Sequence, residues 1–154
     1  VIKTEESLEE VISSAVGRFR KRFPEVQVQV CIPESFIMVP MDATLIEQVI
    51  NNLLENAYFH SGSHGPIDLQ ASVDGPYVSI AIRDQGNGIR PELLGTLFDG
   101  GGVSDNQTGD SHKGMGIGLT LCKTIINAHG GHIEASNYDK GALFTFTLPD
   151  WREY

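Results

Sequence analysis

Hydrophobic residues recur along the first third of the chain at helical spacing, which predicts two amphipathic helices. Ser7 followed three residues later by Glu10 is a capping-box pattern, so the first helix is expected to begin there and to end near Pro24. Its apolar positions are Leu8, Val11, Ile12, Ala15, Phe19 and Phe23. Asp42 is expected to cap a longer second helix, whose apolar stripe runs from Leu45 to Ala57.

Alternation of apolar and polar residues predicts strands between and after these helices. The strands are expected over residues 26–32, 67–73, 78–84, 132–137 and 142–148, with at most a short edge strand over 37–39. Asp74-Gly75-Pro76 joins the second and third of them into an antiparallel hairpin. Asp84 continues the apolar row of the third strand, where a carboxylate is costly without a partner.

The remaining segments complete the predicted fold. A short helix is expected over 91–97, a polar segment follows over 99–112, and a last helix is expected over 118–128, where Gly130-Gly131 ends it. This order predicts one domain of the α+β class over residues 1–154. We expect a two-layer α/β sandwich, in which about three helices cover one face of a mixed, mostly antiparallel sheet.

Charge and cysteine content exclude several classes of function. The formal net charge of −9 and the pI of about 4.9 argue against nucleic acid or an anionic membrane as a partner. The basic cluster Arg18, Arg20, Lys21 and Arg22 is interpreted as a solvated helix face rather than a docking patch. The two cysteines, Cys31 and Cys122, lack metal-binding spacing and are expected to be buried free thiols in a reducing cytosol.

Three glycines at alternate positions, Gly114, Gly116 and Gly118, precede the last predicted helix. Glycines let a backbone approach another group closely, and the free N–H groups at a helix start favour an anion. The spacing is that of neither a dinucleotide-binding fold nor a P-loop. A phosphate site of another kind is therefore predicted.

Two further constellations carry polar side chains suited to a nucleotide. Asn52 and Asn56 are four residues apart on one helix face, where they could be two exposed asparagines or oxygen ligands for Mg²⁺. Asp84, followed by Gly86 and Gly88, could begin a simple turn or accept a hydrogen bond from an exocyclic amine. Each of these signals is unspecific by itself.

Taken in order, these motifs resemble the catalytic and ATP-binding domain of sensor histidine kinases, in the ATPase superfamily shared with gyrase and Hsp90-type chaperones. The phrases Asn51-Asn52-Leu53-Leu54-Glu55-Asn56-Ala57 and Ala128-His129-Gly130-Gly131 favour the kinase branch. The resemblance covers essentially the whole chain and is greatest to the potassium-responsive sensor kinases.

The resemblance implies a role for each motif in binding ATP and Mg²⁺. Asn56, helped by Asn52, matches the family's Mg²⁺ position, and Asp84 matches the carboxylate that recognises the adenine amine. Residues 99–113 match a mobile ATP lid. Residues implied to contact the nucleotide are Asn52, Asn56, Phe59, His60, Asp84, Gly86, Gly88, Ile89, Phe98, Lys113, Gly114, Met115, Gly116, Ile117, Gly118 and Leu119. Asn52, Asn56 and Lys113 are the implied catalytic residues.

The chain departs from the family pattern in ways that bear on the reaction. Hydrolysing relatives have a glutamate general base where Asn52 stands, so transfer of the γ-phosphoryl group is favoured over hydrolysis. Phe59 occupies a position where these kinases often carry a lysine, and Lys113 is the one lysine or arginine within residues 99–113. Weak, strongly Mg²⁺-dependent ATP binding is therefore expected. The alternative function is a nucleotide-binding regulatory module that has lost catalysis.

The resemblance also implies partners and a location. None of the five histidines is followed by an acidic residue, the setting that this family uses for its phosphorylated histidine. The acceptor is therefore expected on a dimerisation domain of the same protein, which then passes the group to a response regulator. No stretch of the sequence is apolar enough to insert into a membrane. A cytoplasmic domain is expected, in a parent protein anchored at the inner face of the plasma membrane.

Overall fold

The main sheet of the domain is mixed and mostly antiparallel, as the sequence predicts. The computed structural model describes residues 1–61, 65–99, 113–138 and 141–150. In that part of the chain the main sheet contains five strands: β2 (Val28–Cys31), β4 (Ile67–Asp74), β5 (Tyr77–Arg83), β6 (His132–Tyr138) and β7 (Gly141–Pro149). Their order is β2-β4-β5-β7-β6, with β2 parallel to β4 and the other neighbours antiparallel.

A second, two-stranded sheet was not expected. Its strands, β1 (Thr4–Ser7) and β3 (Met38–Met41), pair antiparallel, with Ser7 opposite Met38. Thr4-Glu5-Glu6-Ser7 has no apolar alternation, so nothing local marks it as a strand. The pairing with β3 forms β1, and that partner is more than thirty residues away in the sequence.

Four helices are described: α1 (Leu8–Arg22), α2 (Ala43–Ser61), α3 (Pro91–Leu94) and α4 (Lys113–Ala128). The backbone N–H of Glu10 donates a 3.3 Å hydrogen bond to Oγ of Ser7, which confirms the predicted cap of α1. α2 packs between α1 and α4 and also contacts β4, β5 and β7. The expected two-layer arrangement, with three longer helices on one sheet face, is therefore confirmed.

The core lies between these helices and the inner face of the sheet. The side chains of Ile80, Ile82, Phe144 and Phe146, which lie on neighbouring strands, are buried together with Leu53 of α2. Burying each such side chain contributes about 1.5–3 kcal/mol. Asp84 directly follows this apolar row of β5 and is also buried, as its place in the alternation predicts.

The structure corrects three expectations. Val30 lies in the edge strand β2 and is 37% exposed, so the alternation there does not mark a buried face along its whole length. Cys31 is exposed at the end of the same strand, whereas Cys122 is buried as predicted. The last helix begins at Lys113 rather than Gly118, so the glycine stretch forms the first turns of α4 instead of preceding it.

The basic cluster of α1 is a partly paired surface. Arg18 lies 3.5 Å from a carboxylate oxygen of Glu47, and Arg22 forms an ion pair with Glu55. Arg20 donates a 2.7 Å hydrogen bond to the carbonyl oxygen of Val28. These contacts join α1 to α2 and to β2, which accords with the interpretation of a solvated, structural face.

Candidate functional site

Asn56 is a buried asparagine with no hydrogen-bond partner in the described part of the chain. Its side chain projects from α2, the residue is 4% exposed, and both Oδ1 and Nδ2 are unpartnered there. Leaving a buried polar group without a partner costs about 1–3 kcal/mol. An asparagine kept under that cost is suited to a ligand, and its oxygen has the chemistry that Mg²⁺ prefers.

Asn52, one helical turn before Asn56, reaches α4. Its Nδ2 lies 3.5 Å from the main-chain oxygen of Gly118, so the predicted asparagine pair and the predicted glycine stretch meet in the structure. Burial raises the pKa of the nearby Cys122 thiol to about 12, although the Asn52 side chain acts in the opposite direction. The thiol is therefore protonated at neutral pH and is not a nucleophile.

The two carboxylate oxygens of Asp84 differ in their hydrogen bonds among the described residues. Oδ1 accepts hydrogen bonds from the backbone N–H groups of Gly86 (2.9 Å) and Ala142 (3.1 Å). The residue is 1% exposed, and no hydrogen-bond partner of Oδ2 occurs among the described residues. The two backbone donors fix the orientation of the carboxylate, so that Oδ2 is held ready to accept a hydrogen bond from a ligand.

The ends of β6 and β7 enclose Asp84 closely. The hydroxyl of Tyr138 donates a hydrogen bond to the main-chain oxygen of Asp84, and the Arg83 guanidinium lies 4.9 Å from the centroid of the Tyr138 ring. Burial raises the pKa of Tyr138, which keeps this hydroxyl a donor. A Cβ on Gly141 would lie 2.5 Å from Oδ1 of Asp84, so this position has no room for a side chain.

The turn after Asp84 is held from β6 by an asparagine that sequence reasoning missed. Asn137 Oδ1 accepts a 2.7 Å hydrogen bond from the Ile89 N–H, and its Nδ2 donates one of 2.7 Å to the Ile89 carbonyl oxygen. Gly88 has φ of +82°, a conformation that favours glycine. The contact spans 48 residues of sequence, and no local pattern around Asn137 signals it.

Phe98 packs against the sheet next to these elements. Its ring lies 6.2 Å from that of Phe144 at an angle of 89°, and Phe144 pairs with Ile82 two residues before Asp84. Asp99 follows, with Oδ1 3.8 Å from Nζ of Lys123 on α4. The start of the predicted lid is thus joined to the sheet and to α4, while its residues 100–112 lie outside the described part of the chain.

The remaining predicted contact residues are described only in part. Phe59 is 41% exposed, with its ring 5.2 Å from that of Tyr58 and 6.2 Å from that of Phe23, which directly follows α1. The backbones of Lys113, Gly114, Met115, Gly116 and Ile117 are helical, and Leu119 is 2% exposed. The side chains of His60 and of residues 113–117 lie outside what the structure describes. Their predicted contacts with a nucleotide remain predictions.

These groups fit ATP and Mg²⁺ on chemical grounds. Asn56 has an amide oxygen suited to a cation, and Asp84 has a carboxylate oxygen suited to an amine; neither oxygen has a partner among the residues that the structure describes. α2, which carries Asn56, contacts β5, which Asp84 directly follows. α4 begins at Lys113 in the described residues, and the N–H groups at the start of a helix suit phosphate oxygens.

Comparisons with known proteins show the family and the fold of the chain. A sequence model of the family described as histidine kinase-, DNA gyrase B- and HSP90-like ATPases matches residues 41–152. Sensor protein KdpD of Clostridium acetobutylicum is 43% identical over 148 residues, which cover 96% of this chain and 16% of that protein. The chain thus spans about a sixth of this relative. The name agrees with the sensor-kinase subtype that the sequence resembles.

Solved structures show the same fold. The catalytic domain of histidine kinase ThkA superposes with a TM-score of 0.81 at 28% identity, covering 97% of each chain. A complex of ThkA with the response regulator protein TrrA gives a TM-score of 0.77 at 28% identity, covering 97% of this chain and 42% of that one. The matched family, the sensor-kinase relative and the shared fold together show that the chain belongs to the histidine kinase-, DNA gyrase B- and HSP90-like ATPase family, as a catalytic and ATP-binding domain of the sensor histidine kinase type.

Proposed function

We propose that this domain binds Mg²⁺-ATP and transfers its γ-phosphoryl group to a histidine on a separate dimerisation domain. The observation that carries the proposal is the buried amide of Asn56 on α2, which is 4% exposed and has no hydrogen-bond partner within the described ranges. A fold selected for stability alone would place an apolar side chain there. Asn56 matches the family's Mg²⁺ position, and binding of the cation by the amide oxygen would offset the free-energy cost of burying the amide without a partner.

Each motif has a distinct part in the proposed site. Asn56 and Asn52 hold Mg²⁺, while Oδ2 of Asp84 accepts a hydrogen bond from the exocyclic amine of adenine. Mg²⁺ neutralises phosphate charge when bound, and phosphoryl transfer depends largely on such neutralisation and on positioning. Lys113 and the first N–H groups of α4 contact phosphate oxygens. The nucleotide is surrounded by residues of three regions: Gly86, Gly88, Ile89 and Phe98 after β5, Phe59 and His60 of α2, and Met115, Ile117, Leu119 and the glycines of α4.

Transfer is favoured over hydrolysis because of Asn52. A carboxamide cannot take a proton from water, whereas the glutamate of the hydrolysing relatives can. Nδ2 of Asn52 faces the Gly118 carbonyl oxygen at 3.5 Å, which orients the amide as a donor on that side. An acceptor stronger than water, such as an imidazole presented by another domain, then receives the phosphoryl group.

The proposed partners lie in the rest of a two-component system. The histidine kinase ThkA has been solved in complex with response regulator TrrA, and similarity to ThkA supports a response regulator as the final partner here. The parent protein is proposed to be anchored at the inner face of the plasma membrane, with this domain in the cytoplasm. No helix in the described residues is long and apolar enough to cross a membrane.

A transfer assay tests the proposal directly. The chain is supplied in trans to the dimerisation domain of its parent protein with radiolabelled ATP and Mg²⁺. We expect labelled histidine on the dimerisation domain, none on this chain, and loss of transfer in Asn56→Ala. Asn127→Ala, an exposed asparagine on α4, is the matched control and should transfer normally. ATP binding without transfer would overturn the kinase proposal in favour of a regulatory nucleotide-binding module.

A further inference from the structure

We propose that Asn137 is a positioning residue that holds the Gly86–Ile89 turn in the shape required for the nucleobase. The inference rests on the proposed nucleotide site and extends it to β6, the strand that carries Asn137 at the sheet edge. The observation behind it is the pair of 2.7 Å hydrogen bonds between the Asn137 amide and the backbone of Ile89.

The two hydrogen bonds require a carboxamide. Ile89 presents a donor and an acceptor from one residue, and the Asn137 side chain supplies the matching acceptor and donor. Aspartate would keep the acceptor but would place a second oxygen against the Ile89 carbonyl. Alanine would leave both backbone groups without this partner. The role is thus tied to the chemistry of the side chain and not to its size.

The turn needs an external support because its own conformation is unfavourable for most residues. Gly88 adopts φ of +82°, and a Cβ there would lie 2.9 Å from Oδ1 of Asn137. Glycine loses more backbone entropy on ordering than other residues, so Gly86 and Gly88 make the turn costly to fix. Asn137 offsets part of that cost before a nucleotide binds, which is preorganisation.

Asn137 acts as part of a wider contact between the end of the β6–β7 hairpin and the adenine side of the site. Tyr138 donates to the Asp84 carbonyl oxygen, and the Ala142 N–H donates to Oδ1 of Asp84. The hairpin end therefore fixes both Asp84 and the turn that follows it. These hydrogen bonds make β6 and β7 a rigid support for base recognition.

Kinetics separate this positioning role from a purely structural one. In the transfer assay, Asn137→Ala should raise KM for ATP about tenfold, equivalent to about 1.4 kcal/mol, with kcat within about twofold of wild type. The preference for ATP over GTP should fall as well, because the turn lies beside the base and not beside the phosphates. Ser136→Ala, an exposed position on the same strand, is the control and should leave both values unchanged.

Amide hydrogen exchange without nucleotide supplies the second measurement. Exchange at the Ile89 N–H should accelerate in Asn137→Ala and stay slow in Asn137→Asp, which keeps the acceptor, while KM rises in both. Wild-type exchange at Ile89 in a folded Asn137→Ala, or an unchanged KM, would overturn the positioning role and leave the proposed function standing. A wild-type chain that binds no ATP would overturn the proposed function itself.

Discussion

Nδ2 of Asn52 lies 3.5 Å from the main-chain oxygen of Gly118. This contact joins α2, which carries Asn52 and Asn56, to the glycine-rich start of α4. A Cβ on Gly118 would lie 3.8 Å from the Asn52 amide, an ordinary van der Waals distance. Packing within the described residues therefore does not require glycine at this position. We propose that the missing side chain at Gly118 leaves room for the nucleotide.

Gly118→Ala should consequently stabilise the domain and weaken nucleotide binding. Alanine in a helix interior is favoured over glycine by about 0.5–1 kcal/mol, so the unfolding free energy should rise by that amount. The added methyl should at the same time lower the affinity for Mg²⁺-ATP. Chemical denaturation and calorimetry measure the two effects. Gly17→Ala on α1, which meets nothing within 4 Å, should stabilise without changing affinity.

Asn56→Leu should show a similar opposition between stability and function. An apolar side chain removes two buried polar atoms that have no partner in the described part of the chain, so the unfolding free energy should stay level or rise by about 1 kcal/mol. Mg²⁺-dependent ATP binding should be lost. A variant that is clearly less stable than wild type, yet binds ATP normally, would show that Asn56 serves the fold and not a ligand.

Removal of Mg²⁺ should weaken ATP binding strongly. Lys113 is the one lysine or arginine in residues 99–113, so few fixed positive charges in that segment are available to neutralise a triphosphate. Titration in EDTA should lower the affinity at least about tenfold, a difference of about 1.4 kcal/mol. Equally tight binding with and without the metal would contradict the assignment of Asn56 and Asn52 to Mg²⁺.

His129 should make the fold sensitive to acid. Its Nε2 accepts a 3.0 Å hydrogen bond from the Asp42 N–H, and Nδ1 lies 2.8 Å from the Ile125 carbonyl oxygen, so the buried ring is neutral with its proton on Nδ1. Burial lowers the pKa of His129 below 6.5, with smaller lowering effects from Lys3 and the N-terminal ammonium. Asp42 and the Ile125 carbonyl act in the opposite direction.

The sign of the pH dependence follows from that lowered pKa. Between the folded pKa and 6.5 the unfolded chain binds more protons, so His129 contributes stability above 6.5 that is lost as the pH falls. Unfolding free energies between pH 8 and pH 5 should show this decline, and His129→Gln should flatten it. Asn127→Gln, at an exposed position of α4 without a titratable group, is the control and should keep the wild-type slope.

Periodic segments of this fold can be predicted from sequence because local patterns decide them. The hairpin of β4 and β5 and the cap of α1 at Ser7 are examples, as is the buried Asp84. β1 could not be predicted, because its four residues carry no apolar period and form a strand only by pairing with β3. α4 begins at Lys113 even though glycine has a low helix propensity. Propensity therefore places the predicted start of this helix several residues after the observed one.

The candidate site divides in the same way. Asn56 and Asp84 can be predicted as site residues from the sequence, because the helical period places Asn56 on the same face as Asn52 and the strand alternation places Asp84 in a buried row. Asn137, Tyr138 and the requirement for glycine at residue 141 depend on the register of β6 against β7. That register brings residues about 50 positions apart into contact. A polar side chain at the end of a predicted strand gives no signal that its partner is a distant turn.

The most direct test of adenine recognition by Asp84 is a titration of Mg²⁺-ATP against the wild-type chain and Asp84→Asn. Asparagine can still accept hydrogen bonds from the Gly86 and Ala142 N–H groups through Oδ1, but it places an NH₂ donor at the position of Oδ2, which has no partner among the residues described. The fold should therefore persist while affinity for ATP falls at least about tenfold. Asp74→Asn, an exposed carboxylate at the end of β4, is the control. Equal ATP affinity in wild type and a folded Asp84→Asn would contradict adenine recognition by this carboxylate.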